Sequence, residues 1–273
     1  MLAWIGYRIA DLMVGALPLR IVRGLARRIA RLVFVLRPPA RAILERNLAL
    51  LAPGSDPRVL RDRAREAFEN FALSIADFAA LARTRPEELA GKIEIRGAEH
   101  LAAARATHRG VIVLSAHAGN WEWGAAWLAT LGERVHVAAR RHPSRRVEAL
   151  YCRRRRSLHV SRLRGRSLWL AASRALRRRE WVAVMGDRDS PDLHGSLCAW
   201  ARALARRTGA VILPAVMLRL ADGRHAACFE PPLDPMVPLG AAYRDAMRRR
   251  LETEPGQWCA FEPLPEALAA GPP

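Results

Sequence analysis

The chain has 273 residues, 51% of them hydrophobic, which suits one large domain or two small ones with a sizeable core and excludes wholesale disorder. Basic residues outnumber acidic ones 45 to 26, a formal charge of +19, and that imbalance calls for an anionic partner: nucleic acid, an anionic membrane surface or a phosphorylated substrate. Cys152, Cys198, Cys228 and Cys259 lie far apart with no CxxC pair, which excludes a zinc ribbon or a dithiol redox motif and leaves reduced, structural thiols.

Residues 1–37 read as one or two basic amphipathic helices. Leu17, Ile21, Leu25, Ile29, Leu32 and Leu36 recur at spacings of three to four, with Arg20, Arg23, Arg27, Arg28 and Arg31 largely between them. Such a segment suits a membrane interface, with arginines on headgroups and leucines in the acyl boundary. Its longest uncharged stretch is far short of the ~20 residues a spanning helix needs, and no cleavable signal peptide is recognisable. Pro38 and Pro39 end the segment. Helices are expected over 40–51, 56–83 and from Pro86 to a stop at Gly91.

Beyond residue 91 strands and helices alternate. Strands are expected at 92–96, 110–115, 135–139, 181–185, 210–220 and 224–230, the last two joined by a turn at Ala221, Asp222 and Gly223. Helices are expected at 98–106, 121–131, 145–157, 167–178, 197–208 and 239–253. The run GVIVLS at 110–115 is apolar throughout, the mark of a central strand buried on both faces. The fold class is α/β, a mixed central sheet flanked by helices behind a helical, basic N-terminal segment. Two regions are expected: membrane-contact helices over 1–37 and a catalytic domain over 38–273, with a helical preface at 38–91 and an α/β core at 92–273.

In an open α/β sheet, chemistry sits beyond the C-terminal ends of strands. GVIVLS is followed by Ala116, His117, Ala118, Gly119, Asn120, Trp121 and Glu122. Asn120 is a good N-cap for the helix that starts at Trp121, and Glu122 falls in that helix's first turn. A turn at Ala118 and Gly119 would let His117 and Glu122 meet, which five residues of helix would not allow. His225 and Glu230 share the same spacing but lie in an alternating strand, where they face opposite ways. A histidine oriented by a carboxylate is a general base. No GxSxG elbow or placed nucleophile accompanies it, so the substrate brings its own hydroxyl or water.

The stretch 95–124, with His117, Gly119, Asn120, Trp121 and Glu122 forming His-x-Gly-Asn-Trp-Glu, resembles the late acyltransferases of lipid A biosynthesis, the lauroyl/myristoyl transferases of the lysophospholipid acyltransferase superfamily. Further matches follow in order. They are Arg41 with Asn47 and Leu48, Arg140, Arg156, the Asp187-x-Asp189 pair, Thr208-Gly209-Ala210 with Pro214, and Pro255-Gly256-Gln257-Trp258. Two departures stand out. The apolar loop after Asp189 is cut to residues 190–196, and Cys259 to Pro263 replace the family's aromatic and basic ending.

The resemblance implies a glycerolipid acyltransferase-like fold and transfer of an acyl chain from an acyl carrier protein or acyl-CoA thioester to a hydroxyl of a lipid A-type precursor. His117 would be the base and Glu122 its partner. Asn120, Arg140, Arg156 and Asp187 are the expected substrate-binding residues. Neither metal nor cofactor is expected. The expected partners are the acyl donor, a phosphorylated glycolipid and an anionic membrane surface, with the chain a monomer, peripheral or monotopic on the cytoplasmic face of a bacterial inner membrane. Another glycolipid, such as a phosphatidylinositol mannoside, or a lysophospholipid is the alternative acceptor. A basic nucleic-acid- or membrane-binding protein without catalysis is the rival class, although no helix-turn-helix, zinc-finger or RNP signature appears.

Overall fold

The computed structural model describes residues 2–91, 93–139, 142–163, 167–187, 189–190 and 195–264. It opens with helices α1 (Leu2–Ala16), α2 (Leu19–Leu36), α3 (Pro38–Leu51), α4 (Pro57–Leu81) and α5 (Pro86–Ala90). Proline sets their limits. Pro18 separates α1 from α2, and Pro38 and Pro39 open α3, where their missing N–H groups would be unbonded in any case. Asp56 caps α4 by accepting from the Arg58 N–H at 2.6 Å.

The apolar stripe of α2 faces outward. Leu17 just before it and Ile21, Ile29, Leu32 and Leu36 along it are exposed, whereas Val22, Ala30 and Phe34 are buried. Phe34 meets Phe68 of α4 edge to face at 5.4 Å. On α1, Ile5, Ile9 and Leu12 are likewise exposed. No helix among the described residues is long and apolar enough to cross a membrane.

The α/β part follows in chain order. It comprises β1 (Ile93–Arg96), α6 (Ala98–Ala106), β2 (Val111–Ser115), α7 (Trp121–Thr130), β3 (Val135–Val137), α8 (Arg145–Ser157), β4 (Val160–Arg162) and α9 (Leu168–Arg177). Then come β5 (Trp181–Met185), β6 (Asp189–Ser190), β7 (Gly195–Ser196), α10 (Leu197–Thr208), β8 (Val211–Arg219), β9 (His225–Phe229), α11 (Leu239–Leu251) and a 3-10 turn at Pro255–Gln257.

The main sheet has seven strands in the order β1-β9-β8-β2-β5-β3-β4. From β8 to β4 all neighbours run parallel; β9 turns back antiparallel on β8, and β1 runs parallel to β9. The sheet is therefore mixed and flanked by helices, as its strand pattern predicts. All five residues of β2 are buried. Ile112 and Leu114 pack to one side, in the larger of two apolar clusters; Val111 and Val113 pack to the other, against α7. β4 is an addition to the expected strands, because three residues are too few to display alternation. β6 and β7 form a small antiparallel ladder within the shortened loop, whose residues 191–194 lie outside the described ones.

Candidate active site

The parallel register of β2 and β5 decides which side chains meet. Ser115 pairs with Met185 at the ends of the two strands, and His117 and Asp187 each lie two residues further on. His117 Nδ1 is 2.8 Å from Asp187 Oδ1, and the His117 backbone N–H donates to Asp187 Oδ2 at 2.8 Å. Trp258 Nε1–H donates to the same Oδ2 at 2.9 Å. Burial is the largest single influence on the Asp187 carboxyl and opposes its ionisation. The adjoining His117 and the hydrogen bonds from His117 and Trp258 together outweigh it, holding the group below the usual carboxylate range.

Four segments fix the loop that carries His117. Gly119 has φ +59°, and a Cβ there would collide with the Met217 carbonyl, so the turn requires glycine. Its N–H donates to Gln257 O at 2.9 Å, and the Asn120 N–H donates to Met217 O at 2.8 Å. Ser74 Oγ donates to Gly119 O at 2.9 Å, and the Cys259 N–H donates to His117 O at 2.7 Å. The Gln257 side chain accepts from Arg219 N and donates to Arg219 O, both at 2.7 Å, which ties the terminal Gln-Trp element to β8. Asn47 is buried and donates to Ala260 O at 2.7 Å and Glu262 O at 2.9 Å, anchoring the segment after Trp258.

Not every expected site residue converges on His117. Asn120 caps α7, its Oδ1 accepting from the Trp123 N–H at 3.3 Å, while its buried Nδ2 has no hydrogen-bond partner. The turn between His117 and Glu122 forms as expected. The carboxylate on the His117 ring is nevertheless Asp187, and Glu122 engages Arg155 instead. Arg155 Nε and Nη2 lie 3.0 and 2.5 Å from the two Glu122 oxygens, and both side chains are nearly buried. The first helical turn directs Glu122 toward α8, away from the strand end where β5 delivers Asp187.

On α8 it is Arg155 that lines the cavity beside His117; Arg156, one residue and ~100° further round the helix, is exposed and donates to Cys152 O. Arg140 lies outside the described residues. Sequence reasoning thus missed Arg155 and the roles of Trp258 and Ser74. The Pro-x-Gln-Trp match pointed at Trp258 without giving it a role.

A cavity of about 370 Å³ opens at His117 and Trp121 and runs between α7 and the sheet. Small side chains leave the space: Gly124 and Ala125 on α7, with Ala183, Ala215 and Ala227 on β5, β8 and β9. Trp127 and Phe229, with ring centroids 6.1 Å apart, are among its large apolar lining residues. Glu122 and Arg155 are charged groups in an otherwise largely apolar wall.

The family model for bacterial lipid A biosynthesis acyltransferases matches residues 1–261. No curated protein matches the chain. Among solved structures, the 1-acyl-sn-glycerophosphate acyltransferase PlsC from Thermotoga maritima is similar at 16% identity and a TM-score of 0.39, over 86% of this chain and 99% of that one.

Proposed function

The chain belongs to the bacterial lipid A biosynthesis acyltransferase family and is an acyltransferase, with an acyl donor and a lipid acceptor as its substrates. From that premise we propose that it moves a fatty acyl chain from an acyl carrier protein or acyl-CoA thioester to a hydroxyl of a lipid A-type precursor, with His117 as general base and Asp187 as its orienting carboxylate. The observation that carries this reading is the 2.8 Å contact from His117 Nδ1 to Asp187 at the mouth of the apolar cavity. With Nδ1 engaged, Nε2 is the nitrogen left for a substrate hydroxyl. Nε2 takes the hydroxyl proton while the oxygen attacks the thioester carbonyl, forming the C–O bond. Collapse of the tetrahedral intermediate breaks the C–S bond, and the imidazolium returns the proton to the departing thiolate. Asp187 keeps the imidazole in one tautomer and stabilises the imidazolium.

The acyl chain would occupy the cavity between α7 and the sheet, with Glu122 and Arg155 forming part of its wall. Attachment to the membrane would be peripheral, through α1 and α2. Support comes from the outward stripe of Ile21, Ile29, Leu32 and Leu36, with exposed Arg20, Arg27 and Arg28 on the same helix. Transfer assays on purified protein with a radiolabelled acyl thioester and a phosphorylated glycolipid acceptor test the reaction. An ester-linked product that disappears in His117→Ala is expected; a folded His117→Ala variant with wild-type turnover would sink the assignment.

A further inference from the structure

Asp77 is an acid in an otherwise apolar stretch of α4, from Ile75 to Leu81, and its side chain is fully buried. A carboxylate in the interior is costly unless cations and hydrogen bonds compensate it. Two guanidinium groups share this one. Arg23 of α2 places Nε 2.9 Å from Oδ1, and Arg219, the last residue of β8, places Nη2 2.5 Å from Oδ2. The compensation is uneven. One cation is in excess, Arg219 Nη1 has no hydrogen-bond partner, and burial pulls the Arg219 pKa down. A buried ion triad of this kind is a weak source of stability, and its best-attested use is to fix one register among alternatives.

The elements that meet at Asp77 hold the two sides of Gly119, two residues after His117. From α4, Ser74, one turn before Asp77, donates to Gly119 O at 2.9 Å. From β8, the backbone of Arg219 is clamped by the Gln257 side chain, and Gln257 O accepts from the Gly119 N–H at 2.9 Å. Trp258, the next residue, donates to Asp187. Trp123, in the first turn of α7, donates from Nε1 to the Asp77 backbone carbonyl at 3.2 Å. The spacing of α4 and β8 therefore sets the place of the His117 turn, and the Asp77–Arg219 pair ties those two elements at that level. Glu230, just beyond β9, offers a contrast. It too is buried and shared by two arginines, Arg249 at 2.8 Å and Arg250, both on α11. None of these three is bonded to the turn at 117–120 among the described residues.

We propose that Asp77 is a positioning residue for acyl transfer: through Arg219 and Ser74 it holds the turn after β2 so that the His117 imidazole stays against Asp187. Asp77 itself stands outside the lining of the cavity, so it acts on the reaction only through these neighbours. This inference rests on the acyl-transfer reading and adds a residue to its machinery.

The test removes the charges together, so that none is stranded. Arg23→Met, Asp77→Leu and Arg219→Met form one triple variant, and Glu230→Leu, Arg249→Met and Arg250→Met form the matched one. Hydrogen–deuterium exchange of the backbone amides over residues 115–122 is read by mass spectrometry on each full-length protein, beside its melting temperature. Steady-state transfer from a radiolabelled acyl-CoA to a phosphorylated glycolipid gives kcat and KM. The Asp77 triple variant should melt no lower than the wild type, because apolar replacement of a buried ion cluster is commonly neutral or stabilising. Its 115–122 amides should exchange at least ~10-fold faster, and kcat should fall by at least ~10-fold with either KM changed less than ~3-fold, as expected for a misplaced base. The Glu230 triple variant should stay within ~3-fold of the wild type in exchange and in kcat. Unchanged exchange or wild-type kcat in the Asp77 variant, an equal change in the Glu230 variant, or an Asp77 variant too unstable to fold would each overturn the proposal. Exchange is read without substrate, so an inactive wild type would contradict the proposed reaction and leave the exchange result standing.

Discussion

His117 Nδ1 lies 2.8 Å from Asp187, and His225 Nε2 lies 3.6 Å from Asp77. Both aspartates are buried, yet their surroundings differ. The Asp187 carboxylate accepts from His117 and Trp258, and the imidazole stands at the mouth of a cavity. Asp77 is shared with two arginines, Arg23 at 2.9 Å and Arg219 at 2.5 Å, and the His225 ring is stacked beneath Trp123 at 4.6 Å. Neither ring nitrogen of His225 has a hydrogen-bond partner. Burial pushes its pKa down to about 4, Arg219 and Arg23 push the same way, and Asp77 opposes them. A histidine beside an aspartate thus becomes a candidate base only where the carboxylate is not already taken by other cations and the far nitrogen is open to substrate.

The sharpest way to break this contrast is to remove the imidazoles in turn. His117→Ala should lower acyl transfer by about 10²–10⁴-fold, the range for a lost general base. His225→Phe keeps an aromatic ring under Trp123, and its folded fraction should retain activity within a few-fold in the same assay. Comparable losses in both variants would erase the distinction.

A second prediction concerns the carboxylate assigned from sequence. Glu122 and Arg155 form a nearly buried ion pair, so Glu122→Ala strands a guanidinium. Urea denaturation should show a loss of about 3 kcal/mol, and the double change with Arg155→Met should restore much of it. If Glu122→Ala is as stable as the wild type, the pair contributes nothing to the fold.

A third prediction separates the histidines by pH. His225 has its pKa lowered by burial to about 4, from the ordinary histidine value of 6.5. Between these values the unfolded chain binds more protons than the folded one, so stability is full above pH 6.5 and falls as pH drops toward 4. The loss attributable to this group is about 3 kcal/mol at most. His225→Phe should flatten that part of the profile; an unchanged slope would show that other groups cause it. The smallest expected effect is at the start of α7, where Asn120→Ala should cost about 1 kcal/mol through loss of the cap.

The sequence made much of the fold legible because its signals there are local. The apolar run of β2, the caps at Asp56 and Asn120, and the proline boundaries depend on a few adjacent residues, and helices α6, α8 and α10 fall at the limits their patterns predict. The site was only half legible, because its geometry is set across the sheet. His117 and Gly119 announce themselves at a strand end. The choice between Glu122 and Asp187 depends on the register of β2 against β5, 70 residues away along the chain, and no local pattern encodes it. Arg155 and Arg156 are adjacent in sequence, and only the rotation of α8 decides which one enters the cavity. The α2 stripe reads as an outward face because arginines interleave it; an apolar periodicity alone looks the same whether it meets a core or a membrane.

The central claim is that Asp187, and not Glu122, orients the catalytic imidazole. The most direct measurement is single-turnover acyl transfer by Asp187→Asn and Glu122→Gln, each corrected for its folded fraction and followed across pH. Asp187→Asn should lower the rate constant by about 10²-fold or more, because the amide can neither hold the required tautomer nor stabilise the imidazolium. Glu122→Gln should lower it by less than ~10-fold, with most of its effect on stability. The reverse order, a large loss of rate in a stable Glu122→Gln enzyme beside a near-normal Asp187→Asn enzyme, would contradict the account.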